Sequence, residues 1–200
     1  MSTLSWAVRH GFVQCRSPMP IGVRLEREER LLTIRKAKLG DVPDLHRLIN
    51  YYAGERIMLP RTLTDLYENV WEFTVAEEEG KLAGCGALKL YSQEIAEIRS
   101  LCVDAALKSK GIGREVMECL LAEAEGFGLK TVFALTVAPT FFEKLGFREV
   151  PRERFPTKVW RDCLRCDRYA SCNEKAVTLD LADRPVHLPD SATETAEVSS

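Results

Sequence analysis

A strand-like segment that leads into a glycine-rich turn and a long helix constrains this fold more than any other feature. Residues 96–103 are AEIRSLCV, and the segment KSKGIGR at 108–114 begins five residues beyond Val103. Alternation places one set of side chains on a single face: Glu97, Arg99, Leu101 and Val103. It places the other set on the opposite face: Ile98, Ser100 and Cys102. Because a buried strand seldom carries two charges without using them, the Glu97 face predicts a functional site.

The glycine-rich turn predicts a phosphate site. Gly111 and Gly113 fall where the helix begins, and apolar residues then recur at helical spacing: Val116, Met117, Leu120, Leu121 and Ala124. The start of a helix offers unpaired backbone N–H groups and the positive end of the helix dipole, which together suit a pyrophosphate. A plain strand-to-helix connection is the alternative for these two glycines.

Two common nucleotide motifs fit this segment poorly. The dinucleotide-binding pattern needs a third glycine, but Val116 follows Gly113, and no acidic residue ends a second strand at the expected distance. The Walker pattern needs Gly-Lys-Ser/Thr after the turn, and that sequence does not occur there.

At this point the chain resembles the GCN5-related N-acetyltransferase superfamily. Lys108 to Gly113 occupies the place of its cofactor motif, Gln/Arg-x-x-Gly-x-Gly/Ala, after a strand that ends in valine. A second match is the strand 131–136 followed by FFEKLGF at 141–147, where Phe142 replaces the usual tyrosine. The resemblance covers about residues 33–181, and two motifs at the right separation make it specific.

The resemblance implies an α/β (α+β) fold: a central, mixed, mostly antiparallel sheet with helices on both faces. It also implies a V-shaped splay between the central strands that holds acetyl-CoA as cosubstrate. The cofactor-binding residues that it implies are Leu101, Cys102, Val103, Lys108, Ser109, Lys110, Gly111, Ile112, Gly113 and Arg114. Lys108 and Ser109 depart from the usual motif residues, although Lys108 can still face a phosphate as a point charge.

Within the superfamily, the chain is similar to the short, single-domain bacterial N-acetylglutamate synthases. The matching segments are LPRTLTDL at 59–66, FTVAE at 73–77, GCGAL at 84–88 and AEIR at 96–99. The resemblance makes Arg61 a ligand for a substrate carboxylate, because a guanidinium forks onto a carboxylate. Arg99 is our second carboxylate ligand. The alternatives are a solvated charge for Arg61 and an ion pair with Glu97 for Arg99.

The same resemblance implies a mechanism. Glu97 matches the catalytic glutamate of related acetyltransferases, so we assign it as the general base that deprotonates the acceptor amine. Backbone N–H groups near Leu101–Val103 would polarise the thioester carbonyl. Phe142 cannot protonate the leaving thiolate, which is a good leaving group without that help. The expected reaction is acetylation of an amino acid, L-glutamate first, for arginine biosynthesis. Another amino acid or small amine, or a non-catalytic acetyl-CoA-binding regulator, is the alternative.

The composition of the chain limits the kinds of binding partner that we expect. A net charge of −2 gives no basic surface for nucleic acid, and no apolar run approaches the ~20 residues of a membrane span. Seven cysteines without an export signal indicate reduced thiols and a cytoplasmic location. The expected partner is therefore a small-molecule amino-acid substrate, and a homodimer is left open.

The chain divides into an irregular extension at 1–30, an acetyltransferase domain at 31–181 and a disordered tail at 182–200. The patterns predict a strand at 31–36, a helix capped by Asp41 with Pro43 in its first turn, and a second helix at 64–69. They also predict a hairpin of strands 73–77 and 82–90, then strands at 131–136, 147–150 and 176–181, with a helix at 141–145.

Three cysteines share a spacing that occurs in metal sites and redox motifs: Cys163, Cys166 and Cys172. No histidine lies nearby to complete a zinc site, and His187 and Cys15 are far away in the sequence. Asp162 and Asp167 are possible oxygen ligands. We expect no metal and favour reduced thiols that hold a loop by burial, with a structural zinc as the alternative.

Overall fold

The computed structural model of the chain describes residues 32–166 and 169–184. The predicted extension at 1–30 lies outside these residues, as do Leu31, Asp167, Arg168 and residues 185–200. The predicted tail begins inside them, where Leu181–Asp183 forms a 3-10 turn. Arg184 then pairs with Glu118 and Glu125 on the neighbouring helix.

Within residues 32–166 and 169–184, seven strands form one open sheet. In chain order they are β1 (Leu32–Lys36), β2 (Phe73–Glu78), β3 (Lys81–Leu90), β4 (Ile95–Val103), β5 (Thr131–Thr136), β6 (Arg148–Val150) and β7 (Lys175–Asp180). Their order in the sheet is β1-β2-β3-β4-β5-β7-β6. In the described chain only β4 and β5 pair in parallel, and all other neighbours are antiparallel. The mixed, mostly antiparallel sheet is confirmed.

Five helices accompany the sheet in the described residues: α1 (Val42–Gly54), α2 (Leu63–Glu68), α3 (Ile112–Gly126), α4 (Pro139–Glu143) and α5 (Pro156–Arg161). Helix α3 packs on one face of the sheet through Met117, Leu120 and Leu121. Helix α1 packs on the opposite face through Leu45 and Ile49, next to Phe73 and Val75 of β2. The chain therefore has helices on both faces, as predicted. None of these helices has the length and apolar character needed to cross a membrane.

Close packing of α3 on the sheet depends on Gly86 of β3. A Cβ atom at this position would lie 2.8 Å from a methyl carbon of Leu120 and 3.1 Å from one of Leu101. Both distances are shorter than ordinary van der Waals contact, so a side chain here would push the helix away from the strand. Gly86 thus sets the depth at which α3 and its N-terminus lie.

The predicted cap of α1 is wrong in detail. Asp41 precedes the helix and Pro43 lies in its first turn, but the Asp41 side chain makes no cap hydrogen bond to α1. Its carboxylate instead accepts the backbone N–H of Lys38 at 2.7 Å and pairs with the Arg35 guanidinium. Both oxygens of the carboxylate are engaged by the Arg35 guanidinium, a bidentate pair that is stronger than a single bond to a backbone N–H, and a 3-10 turn over Leu39–Asp41 precedes the helix.

Strand β4 contains a bulge, which corrects the predicted alternation. Arg99 lies opposite Ala87 and Cys102 opposite Cys85, so two residues of β4 face the single residue Gly86. Ser100 takes a positive φ of 53° at this point. Beyond the bulge the faces exchange: Leu101 and Val103 pack towards α3 with Ile98, whereas Cys102 packs towards α1. Leu101 and Val103 therefore do not share a face with Glu97 and Arg99.

Candidate active site

A cavity of about 1190 Å³ opens where β4 and β5 separate. The two strands pair only from Ile95 to Glu97 and from Thr131 to Phe133, and they diverge beyond those residues. Residues of α2, β4, β5 and the start of α3 line the cavity, together with α5 and the cysteine-containing segment that follows it. The predicted splay between the central strands thus forms part of this cavity.

The end of the cavity that fits a phosphate lies at the start of α3. Gly111 precedes the helix with a φ of +87°, a conformation that favours glycine. The first N–H groups of α3 have no acceptor within the helix and lie at the positive end of its dipole. A Cβ on Gly113 would project into this end, 3.4 Å from a Val103 methyl carbon and 3.8 Å from the Phe141 ring. The residues therefore fit a pyrophosphate held by backbone amides.

Nine of the ten predicted cofactor residues line the cavity: Leu101, Cys102, Val103, Lys108, Ser109, Gly111, Ile112, Gly113 and Arg114. Lys110 is not among the lining residues. Lys108 lies with its ammonium 4.8 Å from the centre of the Tyr52 ring, a cation–π contact. The Tyr52 hydroxyl also donates to the Val103 carbonyl oxygen at 2.6 Å, so Tyr52 joins α1 to the end of β4.

Arg61 is fixed in the cavity and is not a solvated charge. Only 10% of its side chain is exposed, and it pairs with Asp65 one helical turn along α2. Its backbone N–H donates to the Asn50 side chain, which in turn donates to the Arg61 carbonyl oxygen at 2.8 Å. The guanidinium lies over the Phe73 ring, yet one of its terminal nitrogens is buried without a hydrogen-bond partner among the described residues.

Arg99 also reaches the cavity, but its ion partner is not Glu97. Its guanidinium donates to the buried Glu72 carboxylate at 2.9 Å, and Lys89 binds the other oxygen of Glu72 at 2.5 Å. The single carboxylate of Glu72 therefore pairs with two cationic side chains, Lys89 and Arg99, so the three side chains together carry a net positive charge. The Nε of Arg99 is buried and lacks a partner in the described part of the chain.

Glu97 lies at the centre of a buried polar network that the sequence did not reveal. Its carboxylate pairs with Lys158 of α5 at 2.9 Å, and the side chains are only 3% and 9% exposed. It also accepts a hydrogen bond from the Tyr91 hydroxyl at 3.0 Å. The same hydroxyl lies 3.2 Å from the Asp162 carboxylate, which pairs with Lys158 at 2.8 Å.

Burial and neighbouring charges shift the pKa values of three members of this network: Lys158, Asp162 and Tyr91. Burial alone would lower the pKa of Lys158, but the adjacent Glu97 and Asp162 carboxylates outweigh burial and raise it. Burial would raise the pKa of Asp162, but its hydrogen bond to Lys158 lowers it instead. Burial, followed by the charge of Glu97, raises the pKa of the Tyr91 hydroxyl, which therefore stays protonated.

Replacing Lys158 with methionine should destabilise the protein by ~3–5 kcal/mol, because it leaves the Glu97 carboxylate buried without its cation. Urea unfolding measures the change. The same substitution at Lys175, whose pair with Glu149 is exposed, should cost less than ~1 kcal/mol. Because the folded protein raises the pKa of Lys158 above 10.5, its contribution should be complete below that pH and lost as the pH rises further. Equal losses in the two variants would contradict the prediction.

The three clustered cysteines line the cavity without forming a metal site in the described residues. Cys163, Cys166 and Cys172 all face the opening, but the described residues contain no group of three ligands placed to hold a metal ion. Burial raises the pKa of Cys163, which favours its neutral thiol. Asp162, which we considered as an oxygen ligand, is bound to Lys158 instead. The Cys15, Asp167 and His187 alternatives lie outside the described residues.

Sequence reasoning missed three residues around the site, Glu72, Tyr91 and Lys158, and it considered Asp162 only as a metal ligand and not as the partner of Lys158. Lys158 and Asp162 are four residues apart at the end of α5, a spacing that indicates an ion pair when a helix is predicted there. Glu72 carries no such local signal, because its partners Lys89 and Arg99 lie on β3 and β4. Tyr91 carries none either, because its bond to Glu97 spans the turn between β3 and β4 and its other partner, Asp162, is distant in sequence.

Comparison with known proteins identifies the class to which this fold and site belong. The acetyltransferase (GNAT) family profile matches residues 42–147. The chain therefore belongs to the GNAT acetyltransferase family and uses acetyl-CoA as cosubstrate.

Two relatives refine the comparison. An uncharacterized N-acetyltransferase of Chlorobaculum tepidum is 39% identical over 148 residues, which is 74% of this chain and 96% of the relative. An amino-acid acetyltransferase of Mycobacterium tuberculosis is 38% identical over 135 residues, 66% of this chain and 77% of the relative.

Solved structures agree in fold. N-acetylglutamate synthase from Neisseria gonorrhoeae, in complex with coenzyme A and N-acetyl-glutamate, aligns with a TM-score of 0.69 and 28% identity. The alignment covers 77% of this chain but only 36% of that longer protein. A Mycobacterium tuberculosis protein in complex with CoA aligns with a TM-score of 0.64 and 33% identity, over 74% of this chain and 98% of that protein.

Proposed function

We propose that this acetyltransferase transfers the acetyl group of acetyl-CoA to the α-amine of an amino acid, with L-glutamate as the preferred acceptor. The observation that carries the proposal is the pair of incompletely bonded guanidinium groups at the cavity. Arg61 and Arg99 both line it, and each keeps one buried nitrogen without a partner among the described residues. An unsatisfied buried donor is costly, so a small rotation towards a bound carboxylate would be favourable. Two such cations suit an acceptor with two carboxylates.

The proton of the acceptor ammonium needs a route out of the cavity. In our proposal Glu97 takes this proton as general base. The Tyr91 hydroxyl lies between Glu97 and Asp162, so it can receive the proton from Glu97 while passing its own to Asp162. The Asp162 side chain is 32% exposed, which gives the proton access to solvent.

The thioester carbonyl needs a hydrogen-bond donor as its oxygen becomes negative. The bulge at Ser100 interrupts the β3–β4 ladder, and the residues that follow it, Leu101–Val103, line the cavity. Backbone N–H groups there would stabilise the oxyanion without any side chain. Phe142, buried in the α3-side core, supplies no acid for the thiolate.

This assignment places the protein in arginine biosynthesis and in the cytoplasm. Relatives named as amino-acid acetyltransferases support the reaction class.

An acetyl-CoA turnover screen across the twenty amino acids tests the proposal, with the released CoA thiol as the readout. We expect a clear preference for glutamate. Faster turnover of another amino acid would overturn the choice of acceptor. A flat profile with tight acetyl-CoA binding would instead favour a binding regulator.

Arg61→Ala and Arg99→Ala should each raise KM for the acceptor and leave KM for acetyl-CoA unchanged. Loss of a charged hydrogen bond costs on the order of 1.5–3 kcal/mol, or roughly ten- to a hundredfold in KM. Steady-state kinetics with each substrate varied separately provides the measurement. Arg35→Ala is the control, because Arg35 pairs with Asp41 and Glu77 outside the cavity and should affect stability only. If Arg99→Ala changes only thermal stability, the role of Arg99 is structural, and the proposal no longer has a ligand for the second carboxylate of glutamate.

A further inference from the structure

Two buried thiols lie side by side beneath the cavity. Cys85 of β3 and Cys102 of β4 are directly opposed in the sheet, and their sulfur atoms are 3.6 Å apart. Cα atoms of directly opposed antiparallel residues lie about 4.5–5.5 Å apart, a separation within the range that a disulfide spans. Bond formation therefore needs movement of the side chains by about 1.5 Å rather than a change in strand pairing.

The two thiols differ in how they can be reached. Cys85 is completely buried, whereas Cys102 is 7% exposed and lines the cavity. The hydrogen bond to Cys102 and burial raise the pKa of the Cys85 thiol, which keeps its proton. An oxidant that enters the cavity therefore meets Cys102 first, and Cys85 is placed as the second, resolving thiol.

We propose that Cys85 and Cys102 are a site of reversible oxidative modification, at which a small peroxide closes a cross-strand disulfide and stops acetyl transfer. The Cys102 sulfur attacks one peroxide oxygen, the O–O bond breaks, and a sulfenic acid forms with release of water. The Cys85 sulfur then displaces the sulfenic hydroxyl, which leaves with the Cys85 proton as a second water. Two thiols are oxidised to one disulfide and one hydrogen peroxide is reduced to two waters.

The position of Cys102 explains why this bond would stop the reaction. Cys102 immediately follows the bulge, between the two other β4 residues that we assign to the thioester, Leu101 and Val103. Both thiols contact the Ser100 carbonyl oxygen, at 3.6 and 3.7 Å. A disulfide would draw the Cys102 side chain away from its place in the cavity lining, and a misplacement of about 1 Å in a site can cost ~10²-fold in rate.

Treatment of the full chain with hydrogen peroxide tests the inference, with tandem mass spectrometry of linked peptides as the primary readout. We expect a peptide pair that joins Cys85 to Cys102, a loss of turnover of about 10²-fold, and recovery of both after dithiothreitol. Saturating acetyl-CoA should slow the reaction, because it fills the route to Cys102. A linked pair made only from other cysteines, or no protection by acetyl-CoA, would overturn the proposal.

Cys85→Ala is the matched variant, because Cys85 lies outside the cavity lining. It should keep its basal turnover and resist reversible inactivation, whereas Cys119→Ser on α3 should be inactivated like the wild type. If Cys85→Ala is unstable, Cys85→Ser serves the same purpose. Equal reversible inactivation of all variants would overturn the inference. The activity measurement rests on the proposed function, but the mass spectrometry of linked peptides does not. If the protein had no transferase activity, the linked peptides would still show whether the disulfide forms.

Discussion

Glu97→Gln should lower kcat by ~10²–10⁴ while leaving the affinity for acetyl-CoA nearly unchanged, because an amide cannot accept the proton of the acceptor amine. Glutamine keeps the size of the side chain and can still bond to Tyr91, so the cavity should keep its shape. The remaining activity should rise with pH, since more of the acceptor is then present as free amine. Stopped assays over a pH series and calorimetry with acetyl-CoA make the two measurements.

Glu72→Gln is the matched control for the loss of a buried, ion-paired carboxylate. Glu72 holds Lys89 and Arg99 but does not line the cavity, so its loss should affect stability and acceptor KM rather than kcat. If Glu97→Gln stays within about twofold of the wild type, the base is water or another residue. The Glu97–Lys158 ion pair would then be structural only, and the proton route through Tyr91 to Asp162 would play no part in the reaction.

Gly113→Val should abolish acetyl-CoA binding and leave the fold intact. The Cβ atom that any other residue adds would lie between Val103 and the Phe141 ring, and the two methyl groups of valine would extend into the space beside the first N–H groups of α3. The pyrophosphate could then no longer approach those amides. Isothermal calorimetry gives the affinity, and circular dichroism gives the fold.

Gly126→Val is the control variant, because it places valine in the same helix without blocking the proposed phosphate site. It therefore distinguishes loss of binding at the site from loss of helix stability. Gly126 ends the same helix, and a Cβ there has no neighbour within 4 Å among the described residues. We expect normal affinity for acetyl-CoA in this variant. Unchanged affinity in Gly113→Val as well would mean that the phosphates bind elsewhere on the protein.

The sequence predicted those strands and helices whose formation depends on residues close together in the chain. The β2–β3 hairpin is confirmed because Glu79 and Gly80 supply the positive φ that its tight turn needs. Helix α3 is confirmed because its apolar spacing matches the buried face against the sheet. The bulge in β4 was not predictable from alternation, since it is a feature of the pairing with β3, where two residues of β4 lie opposite Gly86. One extra residue in a strand moves each later side chain to the opposite face of the sheet. The predicted faces of Leu101 and Val103 were therefore wrong.

The charged centre of the site was only partly predictable for a related reason. Glu97, Arg99 and Arg61 were each found by position and by resemblance, and all three line one cavity. Their partners come from distant parts of the chain: Lys158 follows Glu97 by sixty-one positions, and Glu72 precedes Arg99 by twenty-seven. Nothing in residue type or spacing reveals such pairs, and only the packed fold brings them together.

The three-residue pairing between β4 and β5 leaves each strand with an unused edge. Beyond Glu97 and Phe133, the facing backbone N–H and C=O groups have no ladder partner in the described chain. Such groups can bind an extended ligand as if it were one more strand, through main-chain hydrogen bonds alone. Donor recognition along this gap would then tolerate side-chain substitution in β4 and β5. It would instead discriminate by peptide-like groups, so an acetyl thioester without amides in its arm should be a poor donor.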